Sequence, residues 1–135
     1  MPKVEINFIK TLKVQVPFET IQSEIKHFIL NKFFSKKLDQ KSITVNIHLV
    51  DTKKIQSLNK NFRKIDKITD VLSFPIYQDK SEITKEKSPE IYLGDIFICY
   101  AIAKNQAKKH KKSLIGELVF LSLHGIKHLI GIHHK

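Results

Sequence analysis

Cysteine occurs once in this chain, at Cys99, so no disulfide can form within it and no set of thiolates is available for a structural zinc site. A reducing cytoplasm fits that usage, and Cys99, alone in an apolar run, reads as a buried bystander rather than a nucleophile. Only 4 glycines and 4 prolines leave little room for long linkers, and no segment is repeated or of low complexity. Acidic residues are scarce: 13 Asp and Glu stand against 24 Lys and Arg, a formal charge of +11. Long hydrophobic runs are missing too. The most apolar stretch, 114–132, is broken by Glu117, His124, Lys127 and His128, which a bilayer centre would resist, so no membrane association is expected. The opening Met1-Pro2-Lys3-Val4-Glu5-Ile6 alternates too strongly for a signal peptide, and no export is expected.

What the chain does have is histidine gathered at one place. His124 and His128 are four apart, so on an α-helix they leave one face about a turn from each other and can grip one ion together. Gly131 can take the left-handed conformation just past the last turn and bring His134 round as a third ligand. Three imidazoles with a fourth corner open to water describe catalytic rather than structural zinc. The metalloprotease helix reads His-Glu-x-x-His, with the glutamate as general base; Gly125 holds that place here, so this helix brings no such base. Leu121, Leu129 and Ile132 are expected to wall the ion and exclude water. Two helical histidines alone are more often half-buried polar residues than ligands, and it is the third, at the turn, that favours a site.

With 135 residues and 41% hydrophobic composition, one domain over 1–135 with a real core is expected. Val4 to Phe8 alternates as a half-buried strand, and Ile21, Ile25, Phe28 and Ile29 recur at helical spacing from about Phe18 to Phe34. Ile43 to Val50 is a second strand by alternation and β-branching, with His48 on its polar face. Asp51 can cap a helix carrying Ile55, Leu58 and Phe62 and ending at Arg63. Asp70 to Phe74, stopped by Pro75, suits an edge strand. Tyr77 to Pro89, rich in charge, reads as an exposed excursion. Ile91 to Cys99 is a strand covered on both faces in its second half, with Asp95 a structural residue at a strand turn. Ala101 to His110 looks helical, and Ser113 can cap a final helix that points Leu118, Leu121 and Ile126 inward and sets Glu117, Leu121, His124 and His128 on one stripe. The expected fold is α+β: a small mixed β-sheet of about four strands packed with helices, its metal-binding C-terminal helix in the core.

The charge points to a polyanionic partner, nucleic acid first, although pairs such as Lys36-Lys37, Lys53-Lys54 and Lys108-Lys109 also suit ordinary solvated faces.

These residues together resemble the YbeY family, bacterial proteins described as zinc-dependent endoribonucleases that mature ribosomal RNA. Three blocks carry the resemblance in order: Leu58-Asn59-Lys60-Asn61-Phe62-Arg63 running into Thr69-Asp70-Val71-Leu72-Ser73-Phe74-Pro75; Leu93-Gly94-Asp95-Ile96-Phe97-Ile98-Cys99 with Gln106-Ala107; and His124-Gly125 through His134. The resemblance implies one Zn2+ held by His124, His128 and His134, and an activity-bearing arginine at Arg63, whose planar guanidinium suits a scissile phosphate. Asp70 and Ser73 fall on family positions that can orient water or the ligands. Where the family usually has Gly-Tyr-Asp-His, this chain has Gly131-Ile132-His133-His134, so His133 competes with His134 for the third corner. The family pattern also continues past its third histidine, whereas this sequence stops at Lys135, and Ile68 replaces a proline common before the Thr-Asp pair.

The expected function is accordingly a cytoplasmic, single-strand-specific, zinc-dependent endoribonuclease of rRNA maturation and ribosome quality control. Single-stranded ribosomal RNA is its expected substrate, with ribosomal proteins as candidate partners. A different class also suits the composition: a non-catalytic rRNA-binding or ribosome-assembly factor in which a structural metal pins the last helix. A small metal-dependent protease is disfavoured by Gly125 and by the charge.

Overall fold

A computed structural model describes residues 1–33 and 36–131. Four strands form one mixed sheet in the order β1-β2-β4-β3, where β1 is Lys3–Lys10, β2 Ser42–Val50, β3 Val71–Pro75 and β4 Glu90–Cys99. β1, β2 and β4 run parallel, while β3 pairs antiparallel with β4 and forms an edge. Pro75 ends that edge strand, as its missing N–H requires. The helices are α1 (Phe18–Lys32), α2 (Thr52–Arg63), α3 (Lys80–Thr84), α4 (Tyr100–Lys109) and α5 (Leu114–Leu129). The α+β reading stands. The expected extension of α1 to Phe34 lies outside the described residues.

Local chemistry explains the boundaries. The Asp51 carboxylate accepts from the Lys54 N–H at 2.8 Å and opens α2; the Ser113 hydroxyl accepts from the Gly116 N–H at 3.0 Å and opens α5. Lys64, at φ +62°, closes α2 in the left-handed conformation. The excursion from Tyr77 to Pro89 is not simply exposed, because it folds into α3 and sinks Ile83 completely into the core. Asp79 caps α3 through the Glu82 N–H at 2.9 Å, and the Glu82 carboxylate accepts from the Gln78 N–H at 3.3 Å. That Asp-x-x-Glu signal was available in the sequence.

The sheet is covered on both faces, unequally. On the inner face, Ile43, Val45, Ile47 and Leu49 of β2 and Leu93, Ile96 and Ile98 of β4 pack with Ile21, Ile25 and Ile29 of α1 and Leu118, Leu121, Ile126 and Leu129 of α5. The outer face has a smaller core of Val50, Ile55, Leu72 and Cys99, flanked by the half-buried Leu58, Phe74, Phe97 and Ile102. Cys99 is buried as expected, and burial pushes its thiol above the ordinary value. Phe97 is only half-buried, so β4 is not fully covered on both faces. Among the described residues no helix is long and apolar enough to cross a membrane.

Candidate active site

α5 presents its apolar face to the sheet and leaves His124 and His128 half-buried at its margin, with ring centroids 4.9 Å apart and planes at 69°. The spacing of four does what helix geometry demands. The close approach of α5 to the sheet depends on Gly125: a Cβ there would sit 2.8–3.0 Å from the Ile96 side chain of β4. This gives a packing reason why no glutamate follows His124. Gly131 takes φ +81°, the left-handed turn expected after the helix. His133 and His134, together with Ile132 of the expected apolar wall, lie outside the described residues.

Arg63 arrives from a different element. As the last residue of α2 it is exposed, and its Nη2 donates to the Ser73 carbonyl of β3 at 2.6 Å while its Cζ lies 5.5 Å from the Phe74 ring centroid. The buried Asn59 steadies the approach by donating from Nδ2 to the Lys67 carbonyl at 3.1 Å, which ties the loop after α2 back to the helix. Arg63, Ser73, Pro75, His124 and His128 thereby line one cleft of about 300 Å³. Val71, Leu72 and Gly125 complete its wall, whereas Leu121 and Leu129 are buried in the core instead.

The remaining sequence candidates sort by position. Ser73 lines the cleft, and its backbone anchors Arg63. Asp70 stands just before β3, accepting from the Val71 N–H at 2.8 Å and from Gln106 Nε2 of α4 at 3.3 Å, and it is not part of the cleft wall. Glu117 shares a helical stripe with the histidines but is buried elsewhere, 3.7 Å from both His110 and Lys112. Among the described residues no three His, Cys, Asp or Glu side chains gather as a metal-holding group; the chain's described contribution is the neighbouring pair His124 and His128. Two imidazoles side by side suit zinc's preference for nitrogen donors.

Across β3, on the outer face, lies a group that sequence reading did not assemble. A register shift between Thr44 and Val45 inserts an extra residue in β4 and brings Tyr92, Asp95 and Phe97 to the same side. Asp95 Oδ1 pairs with His48 Nε2 at 2.8 Å and accepts from Asn46 Nδ2 at 3.3 Å, and its other oxygen accepts from the Tyr92 hydroxyl. Burial alone would raise the Asp95 carboxyl, but those hydrogen bonds from Tyr92, His48 and Asn46 outweigh it and hold the group below its ordinary value. Burial and the bond to Asp95 push the Tyr92 phenol up to about 12. The only local hint was His48 on the polar face of its strand; its partner is 47 residues away.

Known proteins supply the last observation. The family described as Endoribonuclease YbeY matches residues 6–135. Endoribonuclease YbeY of Staphylococcus saprophyticus is 44% identical over 90 residues, covering 67% of this chain and 58% of that protein. Endoribonuclease YbeY of Caldicellulosiruptor saccharolyticus is 38% identical over 122 residues, covering 86% of this chain and 75% of that protein. The solution structure of TM1509 from Thermotoga maritima matches with a TM-score of 0.61 at 26% identity, over 96% of this chain and 75% of that one.

Proposed function

The chain belongs to the Endoribonuclease YbeY family, and from that premise we propose that it is a cytoplasmic, metal-dependent endoribonuclease cutting single-stranded RNA, with ribosomal precursor RNA as substrate in rRNA maturation and ribosome quality control. The observation that carries this reading is the meeting of Arg63 from α2 with His124 and His128 from α5 in one cleft. A guanidinium and a pair of imidazoles in one concavity, on a chain of charge +11, suit a phosphodiester backbone.

The residues divide the work by position. His124 and His128 are assigned as two ligands of one Zn2+, and the third is His134 or His133. When bound, the metal supplies Lewis-acid polarisation of a phosphoryl oxygen and a water of lowered pKa. Arg63 lines the cleft and is oriented by its bond to the Ser73 carbonyl, which leaves further donors of its fork to hold phosphate oxygens and the charge that develops on them. Asp70 acts at one remove, by fixing the start of β3 against α4. The attacking oxygen is that of water or the RNA's own 2′-hydroxyl. Ribosomal proteins are candidate partners.

The test is metal analysis of the purified chain followed by incubation with single-stranded ribosomal RNA, with and without chelator, beside Arg63→Ala and His128→Ala. Cleavage is expected to require zinc and to fall about 10²–10³-fold in Arg63→Ala, the usual loss when a charge-stabilising donor is removed. Zinc binding without cleavage, or cleavage unchanged in both variants, would replace the nuclease with an RNA-holding assembly factor whose metal is structural. Unaltered zinc content in His124→Ala would remove that residue from the ligand set.

A further inference from the structure

Behind Arg63 the outer face carries a row of rings. Phe62 of α2 meets Phe74 of β3 edge-on at 5.3 Å between centroids, Phe74 meets Phe97 of β4 at 5.6 Å, and the His48 ring of β2 stacks on Phe97 at 4.2 Å with planes 10° apart. The far end is held by the His48–Asp95 pair at 2.8 Å, which fixes the imidazole against Phe97. The near end is open: Phe62 is 64% exposed. Phe62, Phe74, Phe97, Leu58 and Asp95 enclose a hollow of about 260 Å³, enough for one planar ring system but below the size of a drug-like ligand site.

Two observations identify the occupant. The first is charge: Phe62 lies within Lys60-Asn61-Phe62-Arg63-Lys64, an exposed ring set among cations, which is the composition that binds single-stranded nucleic acid by stacking bases while the cations track phosphates. The second is continuity. The guanidinium of Arg63 lies over the Phe74 ring on one side and lines the histidine cleft on the other, so the row of rings and the cleft meet at one residue across the edge strand. We propose that this aromatic hollow stacks an unpaired base of the RNA, adjacent to the phosphate held by Arg63. The inference rests on the RNA-cleavage reading and adds to it a physical basis for single-strand selectivity, since a base inside a duplex has no free face to offer.

Binding is read by fluorescence anisotropy with a short oligouridine and with the same oligomer carrying abasic sites, in the presence of chelator so that affinity is measured apart from cleavage. Wild type should bind the base-bearing oligomer about tenfold more tightly than the abasic one, and Phe62→Ala should lose about that factor for the base-bearing oligomer alone. Phe62→Trp should keep the preference, whereas Phe62→Leu, which preserves apolar area without a π face, should lose it. Unchanged circular dichroism in each variant would confirm that an exposed ring was removed from a folded chain. Equal affinity of wild type for both oligomers, or full affinity in Phe62→Ala, would overturn the proposal and return the patch to a protein partner. Cleavage is assayed in parallel on the same RNA: its absence in wild type defeats the nuclease reading, while a base preference that vanishes with Phe62 supports stacking in either case.

Discussion

Ile43, Val45, Ile47 and Leu49 of β2 are buried to 1% exposure or less, while Thr44, Asn46 and His48, alternating with them on the same strand, remain half-buried. Both sets share one backbone and one register; what differs is the cover each receives. α1 and α5 seal the inner face with aliphatic side chains, so its energetics are those of packing. The outer face has a smaller cover, and it keeps hydrogen-bonding and aromatic groups accessible. The edge strand β3 joins the two. Phe74 packs on the outer face, Val71 and Ser73 line the cleft beside α5, Leu72 is shared by both, and Arg63 crosses between them. A sheet with one sealed face and one open face therefore places its candidate chemistry at the margin, where rigid support and access coincide.

The sharpest way to break that contrast is truncation on each side of β2. Ile47→Ala should cost about 2–5 kcal/mol, read as a lowered urea midpoint, because a fully enclosed side chain leaves a cavity. Thr44→Ala should stay within about 0.5 kcal/mol; equal losses at both positions would dissolve the distinction between the faces. Gly125→Ala probes the contact that sets α5 against β4. Overpacking against Ile96 should cost about 1–3 kcal/mol, and the better helix propensity of alanine should return up to about 1, so a net loss of about 1 kcal/mol is expected in thermal unfolding. A net gain would show that the Ile96 side chain yields freely.

The smallest effect belongs to the outer polar group. Because the folded state holds the Asp95 carboxyl below its ordinary value, the stabilisation from its ionised form is fully present above that ordinary value and is lost as pH falls toward the lowered one. Asp95→Asn should accordingly cost about 1 kcal/mol near neutrality, with the gap to wild type closing in acid, below the ordinary carboxylate value. Urea titrations in both ranges of pH measure it, and a gap that does not shrink in acid would mean that the charge of Asp95 contributes nothing to stability.

Much of the fold was legible because its signals are local. The alternation of β2, the caps at Asp51 and Ser113, the proline at the edge strand and the glycine after α5 each act within a few residues of their own position. α3 escaped notice because five residues are too few to show a helical period, although its Asp79–Glu82 cap was written in the chain. Leu121, which the helical period already points inward, and Leu129 belong to the core rather than to the wall of the cleft, because packing against the sheet buries both.

By itself the sequence determined the chemistry on offer: a histidine pair at helical spacing, one arginine of the right kind, an excess of cations, alternating strands and a family membership carried by three blocks. The tertiary structure alone decided what meets what. Arg63 faces His124 and His128 because α2 and α5 cover opposite faces of the sheet and converge at the β3 edge. His48 finds Asp95, and Phe74 finds Phe97, because strand register sets His48 opposite Phe97 and Phe74 opposite Asp95, which leaves each contact one diagonal step across the sheet. Spacing along a helix is set by backbone geometry and can be read from a string of residues, but proximity between elements is set by which apolar faces bury each other, and that exists only once the chain has folded.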